Sequence, residues 1–277
     1  PVRSNPSGAA FDSSNGYVYV VNDGSNNVSV INGATNKVIA NIPVGSNPSG
    51  AAFDSSNGYV YVVNDGSDNV SVINGATNKV IANIPVGSEP VGAAFDSSNG
   101  YVYVTNSNST NVSVINGATN KVIANITVGR GPVGAAFDSS NGYVYVVNAG
   151  SNNVSVINGA TNKVITNITV GSYPQGAAFD SSNGYVYVTN AYSKKVSVIN
   201  GATNKVIANI TVGRGPVGAA FDSSNGYVYV TNAYSNNVSV INGATNKVIA
   251  NIPVRSNPSG AAFDSSNGYV YVVNDGS

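Results

Sequence analysis

Seven phenylalanines, Phe11, Phe53, Phe95, Phe137, Phe179, Phe221 and Phe263, stand 42 residues apart, and nearly every residue between them recurs at the same spacing. Self-similarity at that length marks a repeat architecture, in which a unit unable to bury its own apolar face stacks against copies of itself. The chain holds six full repeats, residues 1–252, and a half repeat, 253–277, whose residues match 1–25 letter for letter. It opens at Pro1 and stops inside a repeat, which reads as a segment of a longer chain. No stretch carries a 3.6-residue period; short β-branched runs alternate with turn clusters, so the expected class is all-β.

Four strands are predicted per repeat. In the first copy strand a is Ser7 to Asp12, and Asp12 to Gly16 forms a turn whose Asp or Asn bonds its own backbone. Strand b, Tyr17 to Asn22, is apolar on both faces and therefore interior. Strand c runs from Asn27 to Ile31, and Asn32 to Asn36 makes the next turn. Strand d, Lys37 to Val44, contains Pro43, which donates no ladder hydrogen bond and belongs on an edge. Such blades set radially around an axis make a β-propeller. A β-helix, the rival, has shorter rungs and would not confine proline to one strand in four.

Seven blades of 42 residues would need 17 residues more than the 277 present. The missing piece is strand c and most of strand d of a seventh blade, with Pro1 and Val2 as the tail of that strand d. The expectation is one domain over 1–277, a seven-bladed propeller with its last blade half supplied. Strand b of that half blade, Tyr269, Val270, Tyr271, Val272 and Val273, is left as an open apolar edge, a template for strand addition. Its expected partner is flanking sequence, another copy of the chain, or another surface protein.

Composition narrows function. With 12 basic and 12 acidic residues the formal charge is zero, and 9% of positions are charged, so no nucleic-acid footprint exists. Apolar runs fall far short of the ~20 residues that span a bilayer, so no membrane crossing is expected. Cys, His, Met and Trp are absent, which removes thiolate, imidazole and haem ligands and the schemes that need Cys or His. No cofactor, no metal and no enzymatic activity are expected. The seven aspartates from Asp12 to Asp264 sit in identical settings and read as turn formers, not as a differentiated acid and base. Asp65 and Asp68 lack the acid spacing of a calcium loop and also read as a turn.

The run Tyr-Val-Thr-Asn at Tyr103–Asn106, Tyr187–Asn190 and Tyr229–Asn232, with Tyr-Val-Val-Asn in the other four copies, resembles the YVTN-repeat β-propellers. Pro-x-Gly-x-Ala before strand b, Val-Ser-Val-Ile-Asn in strand c and Val-Ile-Ala-Asn-Ile-x-Val-Gly in strand d extend the likeness over the whole chain. The resemblance implies a seven-bladed propeller of a prokaryotic, especially archaeal, cell-surface or surface-layer-like protein. One departure is the Asp-Ser-Ser-Asn-Gly turn after strand a, where the family usually has Pro-Asp-Gly.

Differences between copies cluster in the b–c and d–a loops, which share one face; the a–b and c–d turns on the other face are uniform. Tyr173, Tyr192, Lys194, Lys195, Tyr234, Arg130 and Arg214 lie on the variable face, and Tyr and Arg are favoured contact residues. They form a candidate binding patch for a glycan or a protein, although scattered exposed tyrosine is also what drift in solvated loops leaves.

Asn-x-Ser/Thr occurs at Asn27, Asn69, Asn108, Asn111, Asn125, Asn153, Asn167, Asn209 and Asn237. In strand d the acceptor is present in blades 3 to 5 (Thr127, Thr169, Thr211) and replaced by Pro43, Pro85 and Pro253 in blades 1, 2 and 6. One outer flank is expected to carry glycans and the other to stay bare for packing against a neighbour. The functional expectation is an extracellular structural or adhesive module of a cell surface, assembling through edge strands into a surface layer or filament. The alternative is a glycan- or protein-binding module using the variable face.

Overall fold

The computed structural model describes residues 2–276, so the role expected for Pro1 lies outside the described residues. In blade 1 strand a is Pro6–Asp12, strand b Tyr17–Asn22, strand c Asn27–Asn32 and strand d Lys37–Pro43, antiparallel and in that order from the axis outward. The ends differ slightly from the expected ones. Pro6 pairs with Asn22 beyond an irregularity in the ladder, and Asn32 pairs with Lys37 to close the c–d hairpin. The same pattern makes five more four-stranded sheets and one two-stranded sheet, Pro258–Asp264 with Tyr269–Asn274. The described residues form an all-β propeller of six four-stranded blades and a half blade.

Strands a line a central channel of about 490 Å³, walled in each copy by an Ala-Ala-Phe step such as Ala9, Ala10 and Phe11. Neighbouring inner strands are tied by a hydroxyl whose position alternates between copies. Ser7 and Ser49 on strand a donate to Ser49 O and Val91 O of the next blade at 3.0 and 2.8 Å. Where strand a has Val or Gln instead, Thr105, Thr189 and Thr231 on strand b donate to Val133 O, Val217 O and Ser259 O at 3.0, 2.7 and 2.7 Å. Blade 4, with Val133 and Val147, has neither hydroxyl. Ser259 Oγ donates to Ser7 O at 3.1 Å, so the half blade closes the inner ring onto blade 1.

Strand b is the core. Val18, Tyr19, Val20 and Val21 are buried, packed on both faces between sheets, as a two-sided apolar strand requires. The Asn that ends strand b of each full blade is buried too; its Nδ2 is hydrogen-bonded, while its Oδ1 has no partner among the described residues. Asn22 Nδ2 donates to Asn27 Oδ1 at 2.9 Å and Ser29 Oγ at 3.0 Å, and Ser29 Oγ donates to Asn41 Oδ1 at 2.8 Å. This relay links strands b, c and d and recurs in every full blade with a local variant in blade 5. The loops owe their asparagines to backbone geometry. Asn26, Asn36 and Asn47 have φ near +50°, a left-handed conformation that Asn tolerates better than most residues.

Candidate assembly edge and variable loop face

Each joint between complete blades is built by the two uniform turns. The Asp12 carboxylate accepts the Ser14 N–H at 2.9 Å and Asn15 Nδ2 at 2.7 Å, which rigidifies the a–b turn. That turn reaches into the c–d turn of the next blade: Asn15 Nδ2 donates to Gly75 O at 3.2 Å, and the Tyr19 hydroxyl donates to Asn78 Oδ1 at 2.8 Å. A Cβ on Gly75 would overlap the Asp12 carboxylate, so this contact requires glycine. Behind it Tyr19, Val28, Val30 and Ile42 pack on Val60, Val62 and Ile73 of blade 2. The half blade uses the same bonds on blade 1, with Asn267 Nδ2 donating to Gly33 O at 3.1 Å and Tyr271 to Asn36 Oδ1 at 2.7 Å.

Among the described residues blade 6 has no such turn to meet. Among the described residues its Tyr229 hydroxyl is reached only by Asn225 Nδ2 of its own turn, at 3.3 Å. Ile252 is 44% exposed, whereas Ile42, Ile84, Ile126, Ile168 and Ile210 at the same repeat position are 5–7% exposed. A cavity of about 410 Å³ opens here, walled by Tyr229, Val238, Ile252, Val254, Tyr269 and Val270 among others. On the other side Val2, together with Ile31, Asn36, Lys37 and Val38 of the first blade, walls a second space of about 510 Å³. Between them lies the strand Tyr269–Asn274, the outer strand of its sheet among the described residues, with Tyr269 56% exposed and Val270, Tyr271 and Val272 half-buried. The expected edge residues are therefore brought together. Sequence reasoning missed both walls, which adding or subtracting multiples of 42 from the buried strand positions would have found.

The variable face is set by b–c loops folded onto the preceding d–a loops, as in Ala191 N–H to Tyr173 O at 3.0 Å. Tyr173 and Tyr192 stack with ring centroids 4.6 Å apart and planes 9° from parallel. In blade 6 the repeat position of Tyr173 is Gly215, and the Tyr234 ring lies over it. Lys194, Lys195, Arg130 and Arg214 are all exposed, Arg130 on the loop into blade 4 and Arg214 on the loop into blade 6. Lys195 replaces the relay asparagine of strand c, and Asn190 Nδ2 donates to Lys195 O at 3.2 Å instead. The opposite sector is acidic: burial first, then Glu89, Asp23 and Asp68, push the Asp65 carboxyl above its usual range. Asp68 Oδ1 accepts the Glu89 N–H at 2.9 Å, the turn role that Asn26 performs for Asn47.

The sequons fall into two settings. Asn27, Asn69, Asn111, Asn153 and Asn237 on strand c are half-buried, and their Oδ1 atoms accept the relay bond. Asn125, Asn167 and Asn209 on the outermost strand d, and Asn108 in a loop, are exposed. The exposed strand d sequons sit on blades 3 to 5, and the opening in the rim lies between blade 6 and blade 1.

No family model and no curated protein sequence matches the chain. Among solved structures the chain is similar to hydrazine synthase from Kuenenia stuttgartiensis. The TM-score is 0.84 at 19% identity, over 98% of this chain and 95% of that one. A likeness at that identity is one of fold, and it supports the propeller. It also corrects the expectation that the chain is not an enzyme: the same fold occurs in an enzyme, so the propeller architecture is no ground for excluding catalysis.

Proposed function

We propose that the chain is a structural and adhesive propeller of a cell surface, extracellular and of the YVTN-repeat type of archaea. In this reading two strands from flanking sequence or from another chain complete the half blade to give seven four-stranded blades, and copies assemble through edge-strand contacts. The observation that carries the reading is the pair of walls flanking the outer edge of the strand Tyr269–Asn274, whose inner edge pairs with Pro258–Asp264. An edge of this kind, left uncovered by proline, charge or bulge, pairs with another chain. The rim supports it: exposed glycan acceptors lie on blades 3 to 5, while Pro43, Pro85 and Pro253 keep the strand d flank beside the opening free of them. Sedimentation and electron microscopy of the purified chain test the proposal. Concentration-dependent assembly that Tyr269→Lys abolishes is expected; a monomer at every concentration would refute it.

A second reading, that the variable face binds a glycan or a protein, is favoured by the stacked Tyr173 and Tyr192 beside exposed Lys194 and Lys195. Glycan-array binding lost in Tyr192→Ala and Tyr234→Ala is its expected signature.

A further inference from the structure

We infer that the variable loop face is a self-complementary docking surface, on which a second copy of this chain sits face to face across a two-fold axis. The inference rests on the second reading above and names its partner. It uses only the closed ring of inner strands, so it is independent of what completes the half blade. The charges on this face are sorted by blade. Asp23 lies on the b–c loop of blade 1, Asp65 and Asp68 on that of blade 2, and Glu89 on the loop into blade 3. Arg130 lies on the loop into blade 4, Lys194 and Lys195 on the b–c side of blade 5, and Arg214 on the loop into blade 6. The half blade carries one charge of each sign, Arg255 and Asp275. Within the acidic sector repulsion is felt: after burial, Glu89, Asp23 and Asp68 are what hold the Asp65 carboxyl above its usual range. Among the described residues none of these charges is ion-paired within the chain, so both sectors are free for a partner.

A two-fold axis in the plane of the face turns one ring over onto another and reverses the order of its blades. With half blade over half blade, blade 1 meets blade 6 of the second copy, blade 2 meets blade 5 and blade 3 meets blade 4. Asp23 then faces Arg214, Asp65 and Asp68 face Lys194 and Lys195, and Glu89 faces Arg130, each pairing made twice by the symmetry. Every other register sets one charged blade against its own copy. Arg3, on the loop into blade 1, is the one charge on the face that opposes this fit. The contact also covers the exposed aromatic rings. Tyr192 and Tyr234, 67% and 68% exposed, stand on the basic sector and would be laid over acidic loops that carry the small Gly66 and Gly24 at their tips. Tyrosines of this kind anchor interfaces, and complementary potentials set the register.

The test is sedimentation equilibrium of the whole chain, unglycosylated because a glycan on Asn108 would block this face, and carrying Tyr269→Lys to stop growth through the half-blade edge. A discrete dimer is expected, weakened about tenfold or more as salt is raised to about 0.5 M. Asp68→Lys with Glu89→Lys in one chain, and Lys194→Asp with Arg130→Glu in another, should each weaken the dimer about tenfold or more. An equimolar mixture of the two should dimerise again, because each reversed sector then meets its complement. Asp68 and Lys194 share one repeat position, with φ of 51° and 53°, so that loop already accepts either residue. A monomer at every concentration, a dimer that the reversals leave unchanged, or a mixture that stays monomeric would overturn the inference. Glycan binding through Tyr192 and Tyr234 by a chain that stays monomeric would overturn it while keeping the second reading. A dimer restored in the mixture with no glycan bound would support it and make the partner of that reading a protein.

Discussion

Residues 1–25 and 253–277 are one sequence in two surroundings. Both fold into the same hairpin, with Ala9 opposite Val20 and Ala261 opposite Val272. In blade 1 the second strand is buried along its length after Tyr17; in the half blade only Val273 is. Strand and register are thus local properties of the alternation and of the Asp-Ser-Ser-Asn-Gly turn. Burial is a property of the neighbours, and it is burial that stabilises. The half blade holds its place through the inner-ring hydroxyl, the turn bonds to Gly33 and Asn36, and the packing of Val273 and Tyr271 on Val18 and Val20 of blade 1.

The largest break in that comparison comes at high pH. Burial, followed by the opposing Asn hydrogen bond and the nearby Asp charge, pushes the phenols of Tyr19, Tyr61, Tyr103, Tyr145 and Tyr187 up to about 12. Each ionises near 10 when unfolded, so the unfolded state releases its protons first. The stability these five sites contribute is whole below pH 10 and is lost as pH climbs from about 10 to 12. Circular dichroism followed against pH should show cooperative unfolding in that window, coincident with the late tyrosinate absorbance. Smooth titration of all phenols near 10 with the fold intact would contradict their burial.

Side-chain truncation reads the same contrast site by site. Tyr145→Ala removes a fully buried ring and its bond to Asn204, and should cost about 3–5 kcal/mol. Tyr271→Ala, at the equivalent position of the half blade, should cost less than half as much in urea unfolding. Ile168→Ala should cost about 2–5 kcal/mol and Ile252→Ala under about 1 kcal/mol, because only the first leaves a cavity. Equal costs within either pair would mean that the open side is covered in solution.

Most of the fold was legible because the 42-residue period, the alternation and the placement of Pro43 each point to the same blade. The half blade followed from counting. What the sequence did not announce is relational. The swap between Ser on strand a and Thr on strand b is visible as letters, but that both hydroxyls reach the next blade's carbonyl depends on the spacing of the inner ring. Likewise the Tyr173 and Tyr192 stack joins a d–a loop to a b–c loop, which only their folding together reveals. The expectation of no enzyme rested on absent residue types and on nothing that the fold itself enforces.

The smallest predicted effect tests the turn that joins blades. Gly159 and Gly33 occupy the same repeat position, one facing Asp96 of a complete blade and the other Asp264 of the half blade. Alanine at either pushes a Cβ into a carboxylate already committed to its own turn, by Ser98 N–H and Asn99 Nδ2 in the first case and Ser266 N–H and Asn267 Nδ2 in the second. Overpacking of this kind costs about 1–3 kcal/mol. Gly159→Ala should express that cost in global stability, because the blades on either side are buried against each other. Gly33→Ala should instead loosen the half blade, whose outer side has no second blade face to hold it. Limited proteolysis should then cut between residues 258 and 274 of that variant well before the rest of the chain opens. If both variants lose global stability equally and neither is cut there, the half blade is as cooperative as a complete one.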